Sequence, residues 1–237
     1  MSNASIATGY GQLVHYVAVK ESTSSSEPEL AIGWPLSRVD SILNTADKEC
    51  LASMIQQRYK ERFFEPIRTL RTAPRHFRGY GFAIMALCSL LIESLQSYRY
   101  GLPTTYLGEY SSLASFNPPS EYEIPIAERK TGTEAFKDFF SFGLHETLFP
   151  GVDGDIFHSA IRNGLLHQAQ TKGGWKIKIG QSQLWNAHNK VLDRDKFADA
   201  LIGAFNQYVE ELSRSSWNDD VWLKTRRKIW WLVRLSS

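Results

Sequence analysis

Residues 153–172, DGDIFHSAIRNGLLHQAQTK, decide how the rest of the chain reads. Asp153 or Asp155 can cap a helix by accepting from its first free backbone N–H groups. Phe157, Ala160, Ile161, Gly164 and Leu165 then fall on one apolar stripe. On an ideal wheel Arg162 lies about 100° to one side of Ile161 and His167 about 120° to the other. Asn163, Leu166 and Ile156 occupy the back between them. A cation, an amide and an imidazole on the second face of a buried helix call for a second packing partner, either another helix of this chain or the same helix of another copy.

Working outward, Gly173-Gly174 ends this helix, and residues 175–179 (WKIKI) alternate apolar with basic. Residues 190–192 can supply a returning strand, so a small β-hairpin is expected at about 174–193. Asp193 or Asp195 caps the next helix, where Phe197, Leu201, Phe205, Tyr208 and Leu212 recur at helical spacing. Residues 218–235 combine Trp222, Trp230 and Trp231 with Lys224, Arg226, Arg227 and Lys228. An amphipathic helix packed back on the bundle is expected there; a membrane-surface or nucleic-acid face is the alternative.

Upstream of the motif, Thr131 or Thr133 starts a helix that continues to residue 148, with Phe136, Phe139, Phe140 and Leu144 as a core stripe. Residues 101–134 are loop-like and proline-rich. The segment 81–99 is apolar nearly all round and should be the central helix, with Glu93 expected at its polar rim rather than paired to a neighbour's cation. Residues 46–70 form a further helix, capped by Asn44 or Thr45 and kinked near Pro66. Arg68, Arg71, Arg75, His76 and Arg78 cluster around Pro74, either as a solvated connection or as a phosphate-contacting loop. Residues 1–45 read as an arm and linker with one strand at 10–19, leaving 46–237 as the helical domain. The fold class is mainly α, a helical bundle with the small hairpin inserted after the motif helix.

Composition narrows the function. With 237 residues, 43% of them apolar, the chain has material for a real core. A net charge of +2 rules out a strong overall basic field, so any nucleic-acid contact must come from local clustering. Cys50 and Cys88 are too few for a disulfide framework and lack metal-ligand spacing, and Cys88 sits in an apolar run. That run, 82–92, is half the roughly 20 residues a membrane span needs. No membrane span is expected, nothing resembles an export signal, and a cytoplasmic location follows as the expectation. Asp153-Gly154-Asp155 lacks the further oxygens of a calcium loop. His145 and His158 are not spaced with carboxylates as a zinc site requires, and His15, His76 and His188 read as surface or loop residues. No metal and no cofactor is expected.

An arginine and a histidine without thiolate ligands, a phosphate-cradling glycine loop or a carboxylate cluster suit metal-independent phosphoryl transfer in RNA. The imidazole takes a proton from a ribose 2′-hydroxyl or gives one to the leaving oxygen, and the guanidinium holds the charge developing on the phosphate. Arg162 and His167 are five residues apart and diverge by about 140°, so a site completed by a second subunit fits them better than convergence from one helix. Asn163 and His167, four apart, share a face.

The run Arg162-Asn163-Gly164-Leu165-Leu166-His167 resembles the Arg-x4-His signature of the HEPN superfamily, helical bundles that are commonly dimeric and include many metal-independent endoribonucleases. The wider phrase AIRNGLLHQAQTKGGWKI is similar to prokaryotic members with a strand pair inserted after the motif. The resemblance covers roughly residues 46–213 and is strong around the motif. It implies catalytic Arg162 and His167 with Asn163 in support, an RNA substrate, a homodimer with the motif helix at its interface, and a toxin or anti-phage role. Arg71, Arg75, Arg78 and Lys172 are the candidate RNA-contacting cations. Such a role brings an antitoxin or another regulatory protein as a partner. Ala169 stands where members silenced by a nucleotidyltransferase antitoxin carry tyrosine, which argues against that one regulator. A non-catalytic module binding RNA, a nucleotide or a protein is the alternative.

Overall fold

The computed structural model describes residues 27–73, 79–104 and 110–237, and helices dominate it. Strand β1 (Glu29–Ala31) pairs antiparallel with β2 (Trp34–Pro35), and α1 (Leu36–Thr45) follows directly. Leu30, Ala31, Trp34, Leu36, Val39 and Leu43 are all buried. Residues 29–45 are therefore part of the core and not the end of a linker. The strand expected at 10–19 lies outside the described residues.

Helix α2 (Lys48–Tyr59) is capped by Asp47, whose side chain accepts from the Cys50 N–H. It passes through a π turn (Lys60–Phe64) into α3 (Glu65–Thr72), with Pro66 in the first turn of α3. Proline has no N–H to give back, and the widened turn absorbs that defect without ending the helix. Helix α4 (Tyr80–Tyr100) is the axis of the bundle. By length and composition alone it could cross a membrane, with mean hydropathy 1.3 over its most apolar window. Here it packs against α3 and against elements from the rest of the chain. Ile84, Met85, Cys88, Leu91, Ile92 and Leu95 on its inner side are buried.

After the short α5 (Tyr110–Leu113) and an irregular stretch, α6 (Gly132–Ser141) opens on a capping box. Thr131 Oγ1 accepts from the Glu134 N–H, and the Glu134 carboxylate accepts from the Thr131 N–H at 2.7 Å. The helix expected to run on to residue 148 is broken at Phe142 and Gly143, where Gly143 takes φ 47°, before α7 (His145–Leu148). The motif helix runs from α8 (Gly154–Ile156) through a π turn (Phe157–Arg162) into α9 (Asn163–Gln168), and Asp153 caps it.

The hairpin expected at 174–193 is instead a three-stranded mixed sheet. β3 (Lys176–Lys178) lies parallel to β5 (Val191–Asp193), and β4 (Trp185–Asn186) pairs antiparallel with β5 from the other side. Alternation in 175–179 identifies a strand but not its partner's direction, and the chain inserts β4 before returning. Asp193 then caps α10 (Arg194–Arg214) by accepting from the Asp195 and Lys196 N–H groups. Helix α11 (Asp220–Ser236) closes the bundle against α4 and α1. It buries Arg226, Arg227 and Lys228 together with its tryptophans, so these cations form no membrane-surface or nucleic-acid face.

Candidate active site

The apolar stripe of the motif helix goes where its sequence directs it. Phe157, Ile161, Gly164 and Leu165 are buried, and Phe157 stacks on Phe197 of α10 at 5.0 Å and on Phe136 of α6 at 5.6 Å. Beyond α9 the chain turns through Ala169 (φ 52°) and doubles back, so that the Lys172 N–H donates to the Ala160 carbonyl at 2.8 Å. Gly164 permits this return, because a Cβ there would sit 2.5 Å from the Gln170 carbonyl oxygen.

Arg162 leaves the helix at the end of its π turn and faces α4. Its Nε donates to Glu93 Oε1 at 2.7 Å, and its Nη1 donates to Asn163 Oδ1 at 2.9 Å. Both charged side chains are about four-fifths covered (22% and 16% exposed), which screens the pair less than a surface pair. Glu93 is therefore paired rather than resting at a polar rim. Nη2 of Arg162 has no hydrogen-bond partner among the described residues. Asn163 orients the arginine and not the histidine that its spacing suggested. His167 is exposed, with no hydrogen bond to any described residue, and Leu166 beside it is 38% exposed. No hydrogen bond joins Arg162 and His167 within one copy.

Of the expected RNA-contacting cations, Arg71 is already committed. Its guanidinium bonds Asp199 at 2.6 and 3.2 Å and lies 3.3 Å from Asp195. Arg75, His76 and Arg78 lie outside the described residues. Lys172 is exposed, and so are Lys176 and Lys178 on one face of β3, while Ile177 between them turns inward to within 3.2 Å of where a Cβ at Gly81 would stand. Lys190 donates to the Gly173 carbonyl at 2.8 Å. Between Asp155 and Asp193 the sequence contains Arg162, Lys172, Lys176, Lys178 and Lys190 and no acidic residue. That acid-free interval is a local run of positive charge in the sequence which the near-neutral total charge hides.

His158 is not spaced as a zinc ligand, but it lies on the motif helix four residues before Arg162. Its Nδ1 is 3.2 Å from Thr133 Oγ1, and its ring packs at 5.3 Å on Phe136. Burial first, and the neighbouring Arg162 cation second, push its pKa below the usual value; Glu93 and Asp155 act in the opposite sense. His145 is a core residue: Nδ1 bonds the Phe139 carbonyl at 2.8 Å, and burial holds its pKa at about 4. No three His, Cys, Asp or Glu side chains converge as metal ligands among the described residues. No family model, curated protein or solved structure matches the chain.

Proposed function

We propose that the chain is a metal-independent endoribonuclease of HEPN type, acting as a homodimer in a toxin or anti-phage role. The observation that carries this reading is Arg162. A guanidinium about four-fifths covered, fixed on one edge by Glu93 and Asn163, keeps a free Nη2, and it lies in a sequence interval that carries cations and no acidic residue. A preorganised cation of this kind lowers a barrier where charge develops on a phosphate, and loses nothing to reorientation during the reaction. His167, exposed one turn beyond Asn163, supplies proton transfer. The ribose 2′-oxygen attacks the adjacent phosphorus, the bond to O5′ breaks, and the products carry a 2′,3′-cyclic phosphate and a 5′-hydroxyl.

The alternative is a module that binds RNA without cutting it. It is favoured by the same pair, since Glu93 already balances the Arg162 charge. Incubating purified protein with RNA in EDTA separates the two. The ribonuclease reading expects cleavage to a cyclic phosphate, and a loss of at least about 100-fold in Arg162→Ala and His167→Ala. Uncut RNA, 5′-phosphate products, or variants that cut like wild type would sink it.

A further inference from the structure

Cleavage by an internal 2′-hydroxyl moves two protons, one off O2′ as the P–O2′ bond forms and one onto O5′ as the P–O5′ bond breaks. His167 diverges from Arg162, and the Glu93 carboxylate is taken up by the guanidinium itself, so a proton acceptor free to serve beside the arginine must come from another group. His158 is such a group. It is four residues before Arg162, across the π turn Phe157–Arg162, whose i→i+5 bonds bring residues four and five apart nearly over one another. Extra turns of this kind occur often at functional sites, and here the turn ends on the motif arginine.

We propose that His158 is a second catalytic residue of this site, taking the proton from the ribose 2′-hydroxyl while Arg162 holds the phosphate. The assignment rests on the ribonuclease reading. Its geometry is that of a base held by one nitrogen and open at the other. Nδ1 is fixed by the Thr133 hydroxyl, and Nε2 has no hydrogen-bond partner among the described residues and is not sealed from solvent. Gly132, the first residue of α6, contributes to that opening: a Cβ there would stand 3.3 Å from Nε2. The charged groups around the ring are Arg162 and Asp155 on its own helix and Glu93 on α4; α6 presents Thr133 and Phe136 to it. Burial and Arg162 together favour the neutral ring, the form that accepts a proton. The electron pair released when P–O5′ breaks stays on O5′, which takes its proton from His167 in its cationic form. His158 leaves the step protonated and His167 neutral, and hydrolysis of the cyclic phosphate returns both protons.

A histidine needed only to tie the motif helix to α6 uses Nδ1 alone, and asparagine can keep that bond to Thr133 while being unable to carry a proton. The deciding experiment compares wild type, His158→Asn and His167→Ala on an oligoribonucleotide in EDTA, with thermal midpoint and RNA affinity measured alongside. The expected result is a loss of at least about 100-fold in cleavage rate for His158→Asn, with midpoint and affinity as in wild type. Gly132→Ala, which crowds Nε2 without removing it, should slow cleavage as well, and it decides the matter if the asparagine variant does not fold. Cleavage by wild type with unchanged rates in His158→Asn, or in Gly132→Ala where only that variant folds, overturns this assignment and leaves the ribonuclease reading standing. Wild-type protein that leaves RNA whole overturns the ribonuclease reading, and His158 falls with it.

Discussion

Three consecutive cations, Arg226, Arg227 and Lys228, are buried on one helix, and each finds a different settlement. Arg227 donates to the carbonyls of Tyr100 at 2.7 Å, Gly101 at 3.2 Å and Glu123 at 3.1 Å, and pairs with Glu128. Arg226 lies 4.5 Å over the Trp217 ring. Among the described residues Lys228 has one hydrogen-bond partner, the Pro103 carbonyl at 3.0 Å, and burial, then the Arg58 cation, lowers its pKa to about 7. A lysine with a depressed folded-state pKa contributes its full stability above the unfolded value near 10.5, and that contribution is lost as pH falls toward 7. Lys228→Met should therefore be more stable than wild type by about 1–3 kcal/mol at pH 6–7 in urea unfolding. The gap should close as pH is raised toward 10; a destabilised variant at pH 6.5 would contradict the burial cost. The packing of 218–235 back on the bundle was legible in its amphipathic pattern, and the burial of its cations was not. Tyr100, Gly101 and Pro103, whose carbonyls receive these cations, are remote in sequence.

At the scale of elements, the motif helix was legible in its buried stripe and illegible in its turn. Phe157, Ile161 and Leu165 recur at a spacing that tolerates one widened turn, so the core face emerges from periodicity alone. No periodicity records the π turn. The same holds for the Arg162–Glu93 pair, which joins elements 69 residues apart. Gly164 combines both lessons: its place on the apolar stripe is visible in sequence, its contact with the returning chain is not. A methyl group at this position meets the Gln170 carbonyl oxygen at 2.5 Å and the Lys172 N–H nitrogen at 3.1 Å, both backbone atoms that cannot rotate away. Gly164→Ala should cost about 1–3 kcal/mol, despite alanine's better helix propensity, and should expose the 169–172 turn to proteolysis. A thermal midpoint at or above wild type would show that the return turn yields freely.

For the whole molecule, the mainly helical class follows from the helical spacings along the chain, and the axial position of α4 from the apolar run at 82–92. The packed start at 29–45 was missed because a serine-rich segment precedes it. Helix α4 keeps one open side. Phe82 is 40% and Leu90 42% exposed, with Ala83 exposed and Ala86 and Leu87 partly so. On a helical wheel Ala83, Ala86, Leu87 and Leu90 form one stripe that leads toward Glu93. Leu166 is exposed on the motif helix, which packs against α4. An apolar stripe beside Arg162 and His167 is the surface a second copy would cover, and covering it would carry one copy's His167 toward the other copy's Arg162. Sedimentation should then give twice the chain mass of 27.0 kDa. Phe82→Gln with Leu90→Gln, both at positions open enough to accept an amide, should give monomers with unchanged helical content. RNA cleavage should fall with the dimer, because neither copy alone brings the two residues together. A wild-type monomer at about 100 μM, or a glutamine double variant that stays dimeric, would remove this face from the site; a dimer broken without loss of cleavage would place both protons within one subunit.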